Sequence, residues 1–302
     1  MLQVTTLGRK APSRQVIRGL GGPASVELLE KLFLEETSRV TIIAIDFEYD
    51  NDKKDNPIKV FNEIGISTFS TIEWHHPPGI QKSKIHSRCY IMPKMSPGRF
   101  LFGESQRMLR RDIPQFLQNT ISMKSPAGAP SKVVLVGHHV HAELDILQEI
   151  GIDLRDHKLY SIEGILNIAT LTREVGLPFT KLPSLGTVLK YLGIPFQKCR
   201  LHNAGNDAHF TLRALLMLAA KSFERMELGE RPAAQISNLK SIALDPIDFE
   251  SRTPDSQKYQ MELDVKRALK REHAIGSSDD DLWCGSEEES LGMTLFGMDV
   301  DI

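Results

Sequence analysis

The sequence predicts an α/β protein, a mixed β-sheet flanked by helices and followed by a disordered acidic C-terminal tail. Three observations carry that prediction. Residues 40–45 and 132–137 are short, β-branched, nearly continuous apolar runs, as central strands buried on both faces must be. Longer stretches around them repeat apolar residues at helical spacing and stop at Gly or Pro. From Gly276 to the end there are eight acids and no base, with Leu282, Trp283, Leu295 and Phe296 embedded.

At 302 residues the chain is long enough for one sizeable domain with extensions, and a net charge of −2 marks neither a strongly basic nucleic-acid binder nor a disordered protein. Its three cysteines, Cys89, Cys199 and Cys284, are far apart, which argues against a disulfide framework or a thiolate zinc site and for a reducing compartment, cytoplasmic or nuclear. No apolar run approaches the roughly 18–20 residues of a membrane span, and no membrane association is expected. The first 26 residues hold Arg9, Lys10, Arg14 and Arg18 and no acid. They fit a basic tail ahead of a helix at Ser25–Leu34, or a mitochondrial targeting segment.

The first strand, Val40–Ile45, runs into Asp46-Phe47-Glu48, so two carboxylates fall at i and i+2 on one strand face. Like charges so placed repel, and a bound cation is the usual remedy. Residues 61–69 alternate as a second strand, and Cys89–Met92 form a third, completing a meander. A helix is expected from about Gln106 to Asn119, and a buried strand at Lys132–Gly137. The helix after it opens with His138, His139 and His141, which lack further ligands at zinc spacing and suit loop and capping roles. A short strand near Lys158–Ser161, a helix near Glu163–Val175 and a helix at Ser184–Leu192, stopped by Gly193 and Pro195, come next. Between Val175 and Asn206 there is no acid, while Lys181, Lys190, Lys198 and Arg200 occur. They suit contacts to a phosphate backbone, or form a solvated cationic face. The last core helix is expected at Asp207–Glu224, and a charged helix at Gln257–Ala274. Domain boundaries follow: a basic extension at 1–37, a folded domain at 38–226, and a linker, charged helix and acidic tail at 227–302.

The stretch Leu201-His202-Asn203-Ala204-Gly205-Asn206-Asp207-Ala208 sets a histidine five residues before an aspartate, where a polar loop becomes an apolar helix. A base and a metal-ligating carboxylate at one junction suit hydrolysis of a phosphodiester. No Gly-rich phosphate loop follows any expected strand, and no Gly-x-Ser-x-Gly elbow occurs.

Asp46-Phe47-Glu48, Gly137-His138 through Leu147, and His202-x4-Asp207 together resemble the DEDDh 3′–5′ exonucleases of the ribonuclease H-like superfamily. The form His202-Asn203-Ala204-Gly205-Asn206-Asp207-Ala208, with Phe100-Leu101-Phe102-Gly103-Glu104-Ser105, is similar to a fungal branch, the "good for full DEAD-box activity" type proteins. The resemblance spans about 40–220. It implies a ribonuclease H-like sheet and two Mg²⁺ or Mn²⁺ ions about 4 Å apart, held by Asp46, Glu48, an acid of the second motif and Asp207, with His202 as general base. It implies stepwise removal of nucleoside 5′-monophosphates from the 3′ end of RNA or single-stranded DNA. One position departs from the pattern. The family's second motif places aspartate five residues after its histidine, and here Glu143 stands there, followed by Leu144 and Leu147. Asp145 lies two residues on, about 200° around a helix, so only one of the two can face the site, and the leucines favour Glu143. The competing expectation is a nucleic-acid-binding or scaffold protein with weakened chemistry, its acidic tail recruiting a protein partner.

Overall fold

In a computed structural model the described residues are 25–34, 40–49, 61–71, 85–93, 95, 100–122, 131–225, 230–249, 261 and 265. Six strands form one mixed sheet: β1 (Val40–Tyr49), β2 (Phe61–Ser70), β3 (His86–Ile91), β4 (Gln106–Arg107), β5 (Lys132–Gly137) and β6 (Ser161–Asn167), in spatial order β4-β3-β2-β1-β5-β6. The β1–β2–β3 meander is antiparallel, and β5 and β6 add parallel strands on the other side of β1. Seven α-helices occur among the described residues: α1 (Ser25–Leu34), α2 (Ile113–Ile121), α3 (His141–Glu149), α4 (Ile168–Glu174), α5 (Leu185–Leu192), α6 (Ala204–Phe223) and α7 (Glu230–Ala243). The mixed sheet with helices on both faces is the expected ribonuclease H-like α/β arrangement.

Strand alternation sorts the core into two layers. Ile43, Ile45 and Phe47 of β1, with Ile64 and Ile66 of β2, pack against Ile113, Leu117 and Ile121 of α2 and Leu144 and Leu147 of α3. Val40, Ile42 and Ala44 point the other way, to a layer built from α1, α4, α5, α6 and α7. At the centre of that layer is α6, of which every residue except Lys221 is buried. A trough of small residues on the sheet admits it. A Cβ on Gly65 would overlap the Ala204 carbonyl, and one on Gly205 would lie 2.6 Å from Cys89 Cβ and 2.7 Å from the Phe100 ring. Below them, Ser67 Oγ and Ser87 Oγ are 2.6 Å apart, and Ser87 Oγ lies 2.8 Å from His209 Nδ1. Arg213 Nε donates to His209 Nε2 at 2.9 Å, which leaves the imidazole proton on Nδ1, facing Ser87. Burial, then the Arg213 charge, holds His209 well below its ordinary pKa and therefore neutral.

Several expected elements move. Residues 158–160 are not strand, and 163–167 is not helical; β6 occupies Ser161–Asn167, and the helix begins only at Ile168. The cause is a register shift: Val133 pairs with Ile162 and Val134 with Gly164, so Glu163 is an extra residue that breaks the strand's period of two. The expected helix from Gln106 starts instead at Ile113, because Pro114 sits in its first turn, where a missing N–H costs nothing. Two helices flank the expected 38–226 range. Leu28 of α1 packs where a Cβ on Gly164 would be, and Leu239, Ile242 and Ala243 of α7 are buried. Arg213 donates to the carbonyls of Ala243 (3.3 Å) and Asp245 (2.7 Å), tying the end of α7 to α6. The chain divides into two compact units, Met1–Gln260 and Met261–Ile302. The basic start and the acidic tail lie outside the described residues, as does the charged helix apart from Met261 and Val265. Among the described residues no helix is long and apolar enough to cross a membrane.

Candidate active site

Asp46 and Glu48 fall in the same alternation set as Ile42 and Ala44, on the face that α6 covers. Asp207 lies in the first turn of α6, and α3 brings Glu143 from beyond the end of β5. Burial first, and then repulsion from Asp207, Glu143, Glu48 and Glu63, raises the Asp46 carboxyl well above the usual range. Asp207 is pushed up to about 8 by burial and then by Glu48, against the lowering effect of a hydrogen bond from the His202 amide. Burial also raises Glu48, and the neighbouring His202 opposes it.

His202 has a left-handed backbone, φ 61°. Histidine tolerates this region better than most residues, though a strained backbone still costs on the order of 1–3 kcal/mol. The turn lets its N–H donate to Asp207 Oδ2 at 3.0 Å while the ring, 90% exposed, stands 3.8 Å from Glu48 Oε1 through Nδ1. Ligand atoms of Glu48, His202 and Asp207 all lie within 4.8 Å of one another.

The intervening residues of the loop build its frame. Asn203 caps α6, its Oδ1 accepting from the Asn206 amide at 3.1 Å. Its Nδ2 donates to Glu63 Oε2 at 2.8 Å, and the Ala204 N–H donates to the same oxygen at 3.2 Å. Asn206 accepts from Leu101 N–H at 2.9 Å and donates to the Arg200 carbonyl at 2.8 Å. The Phe100–Phe102 segment is thereby tied to the loop, and Phe102 stacks on His209 with ring centroids 3.4 Å apart. Two sequence stretches that look unrelated are one packed unit.

Of the expected residues, Asp46, Glu48, Glu143 and Asp207 converge, with His202 at their edge. Asp145 is half-buried, while Glu143 is buried and second among the acids that raise Asp46. Lys181, Lys190 and Lys198 are exposed, on the loop before α5, on α5 and on the short 3-10 helix Lys198–Arg200, and the half-buried Arg200 follows two residues before His202. His138 is held down to about 4 by burial and by His139, its ring 4.5 Å away, and His141 is exposed. None of these three joins the acid group.

Glu63 and Asn203 were not foreseen as parts of the site. The only sequence signal for Glu63 is its strand phase: with Gly65 and Ser67 it forms a polar or small series on the face opposite Ile64 and Ile66.

Asp46 Oδ2 and Asp207 Oδ1 are buried without a hydrogen-bond partner among the described residues. Unpaired buried carboxylates are costly, and a hard cation with oxygen-rich ligands offsets that cost. The donor set of carboxylates with one imidazole therefore fits Mg²⁺ or Mn²⁺ better than a thiolate-preferring metal.

Comparison with known proteins agrees with this geometry. The family described as "DNA polymerase III subunit epsilon-like, C-terminal domain", of the DEDDh class, matches residues 41–218. Among curated proteins the chain is similar to "Good for full DBP5 activity protein 2" of Saccharomyces cerevisiae, 27% identical over 219 residues, covering 67% of this chain and 38% of that protein. It is also similar to "Uncharacterized protein YDR514C" of the same yeast, 26% identical over 239 residues (69% and 47%). A third, "Uncharacterized nucleolar protein C2C4.08" of Schizosaccharomyces pombe, is 26% identical over 181 residues (59% and 69%). The chain thus spans less than half the length of the two budding-yeast proteins. The matched range runs from β1 through most of α6 and contains every acid of the cluster, and so the chain belongs to the DEDDh family of nuclease-fold proteins.

Proposed function

We propose that the chain is a metal-dependent 3′–5′ exonuclease acting on RNA or single-stranded DNA. The observation that carries this reading is the convergence of Asp46, Glu48, Glu143 and Asp207 from β1, α3 and α6, with two buried carboxylate oxygens that lack a hydrogen-bond partner among the described residues and an exposed histidine alongside. Asp46 and Asp207, with Glu48 and Glu143, would hold two Mg²⁺ or Mn²⁺ ions. The chemistry such ions supply when bound is Lewis-acid stabilisation of charge on the phosphate and the leaving 3′ oxygen. His202 takes the proton of the attacking water; its exposed ring can reach solvent and substrate, and Glu48 beside Nδ1 stabilises the imidazolium formed. Lys181, Lys190, Lys198 and Arg200 contact the phosphate backbone on the approach to His202.

One observation favours a second reading, a nucleic-acid-binding or scaffold protein with weak chemistry: Glu143 stands where the family uses aspartate. The names of the relatives bear on setting. One refers to full DBP5 activity and another to the nucleolus, which supports a protein partner and a nuclear place of action for this chain.

RNA labelled at the 3′ or the 5′ end, incubated with Mg²⁺ or Mn²⁺, separates the two readings. The expected outcome is a ladder shortening from the 3′ end, abolished by Asp46→Ala and by His202→Ala. If the wild type and both variants leave the RNA intact while binding it equally, the scaffold reading is right.

A further inference from the structure

Glu63 lies on β2 directly opposite Glu48 of β1, on the sheet face that α6 crosses. A carboxylate there adds repulsion to a cluster already rich in negative charge, and its field does raise Asp46 and Asp207. Its contacts show what offsets that cost. A single oxygen, Oε2, accepts both the Asn203 side-chain N–H (2.8 Å) and the Ala204 backbone N–H (3.2 Å). Ala204 is the first residue of α6, whose leading amides have no partner within the helix and carry its positive end. Asn203 in turn caps the Asn206 amide. One side chain thus anchors both the capping residue and the first helical residue.

We propose that Glu63 is a positioning residue, which sets His202 and Asp207 in their working geometry by clamping the Asn203–Ala204 junction between them. The proposal rests on the exonuclease reading above. His202 immediately precedes the clamped residues and holds a left-handed backbone that the surrounding contacts must maintain. Asp207 follows within one turn, and its Oδ2 accepts the His202 N–H. Any slide of the helix start along the sheet therefore moves base and carboxylate together, relative to Asp46 and Glu48 on β1. Gly65, on the same face of β2, completes the device by letting the Ala204 backbone come close enough for the Glu63 carboxylate to reach it. With Oε2 committed to two N–H donors, Glu63 acts through the loop. The residues whose ligand atoms gather within 4.8 Å are Glu48, His202 and Asp207.

The test compares Glu63→Ala with Glu63→Gln, which keeps a side-chain oxygen able to accept both hydrogen bonds. Two readouts are needed: steady-state kinetics on 3′-labelled RNA, and amide hydrogen exchange of the metal-free protein. Glu63→Ala is expected to lower kcat on the order of 10–100-fold, with KM changed no more than about threefold. It should also speed exchange at the 203–207 amides at least about tenfold while β1 and β5 keep their protection. Glu63→Gln should restore both to within about threefold of wild type. Unchanged 203–207 exchange in Glu63→Ala overturns the proposal. So does a Glu63→Gln protein that regains exchange protection without regaining kcat, because the charge itself would then be acting on the reaction. Loss of protection throughout the sheet in both variants overturns it too, since Glu63 would then be a general scaffold residue. If the wild-type protein has no exonuclease activity, the exonuclease reading fails by itself, and the exchange arm still decides whether Glu63 holds the loop.

Discussion

Glu143 carries one methylene more than the aspartate usual at its position, and the packing of α3 buries it on the side of the other acids. Leu144 and Leu147 are buried against the sheet, which fixes the rotation of α3 and turns Glu143 inward. Tyr49, at the end of β1, feels Glu143 more strongly than any other charge, and burial together with that charge raises its phenol above the ordinary range. Asp145, two residues on, cannot turn toward Asp46 without pulling both leucines out of the core. Glu143→Gln should therefore cut the 3′–5′ rate about 100-fold or more, and Asp145→Asn should stay within about threefold of wild type. Single-turnover assays in saturating Mn²⁺ measure this, and the reverse order of effects would sink the assignment of Glu143. The acids of β1, the histidine just before α6 and the aspartate in its first turn are legible in the sequence because each stands at the boundary of a strongly patterned element. Glu63 is not, because an acid inside a half-buried strand has no local mark; its importance depends on which helix lands above it.

At the scale of elements, the site depends on how closely α6 approaches the sheet. Gly65 and Gly193 make a useful contrast. A Cβ on Gly65 meets backbone, the Ala204 carbonyl, which cannot swing aside as a side chain can. Gly193 is the left-handed C-cap of α5, φ 69°, and a Cβ there meets nothing within 4 Å. Gly193→Ala should cost about 1 kcal/mol from backbone conformation alone. Gly65→Ala should cost about 1–3 kcal/mol from overpacking and should also displace the His202 loop. Urea midpoints read the stability part, and exonuclease rates at a fixed folded fraction read the rest. If Gly65→Ala proved no less active than Gly193→Ala, the close approach would have no bearing on the site. β1, β2, β5 and α5 are legible in the sequence because their apolar spacing is regular and α5 is bounded by the Ser184 and Gly193 caps. β6 is not, because the bulge at Glu163 interrupts alternation just where Ile165, Leu166 and Ile168 imitate a helical face. Nor is α7, which is held by a few buried residues at its C-terminal end, Leu239, Ile242 and Ala243, and by Arg213 reaching over from α6.

At the scale of the whole molecule, the acid cluster couples folding to pH and to metal. Asp207 is raised from an ordinary value of 3.8 to about 8, and Asp46 and Glu48 are raised as well, all three chiefly by burial. A carboxyl whose pKa is higher in the folded chain binds protons more tightly there than in the unfolded chain. Its contribution to stability is complete below about pH 4 and is lost as pH rises through about 8. The metal-free protein should therefore lose melting temperature between about pH 5 and 8. A loss of about 2 kcal/mol corresponds to roughly 4–8 °C for a domain of this size. Mn²⁺ requires the deprotonated carboxylates, so its stabilisation should grow over the same interval and flatten or reverse the slope. Asp207→Asn removes the titrating group and its repulsion together, and should flatten the metal-free profile while reducing the Mn²⁺ effect. Thermal melts at several pH values, with chelator or with Mn²⁺, test this without any nuclease assay. A metal-free melting temperature that climbs from pH 5 to 8 as steeply in wild type as in Asp207→Asn would show that these carboxylates are not held protonated by the fold. The absence of any Mn²⁺ shift at pH 8 would remove the physical reason for assembling so many acids at the end of one strand.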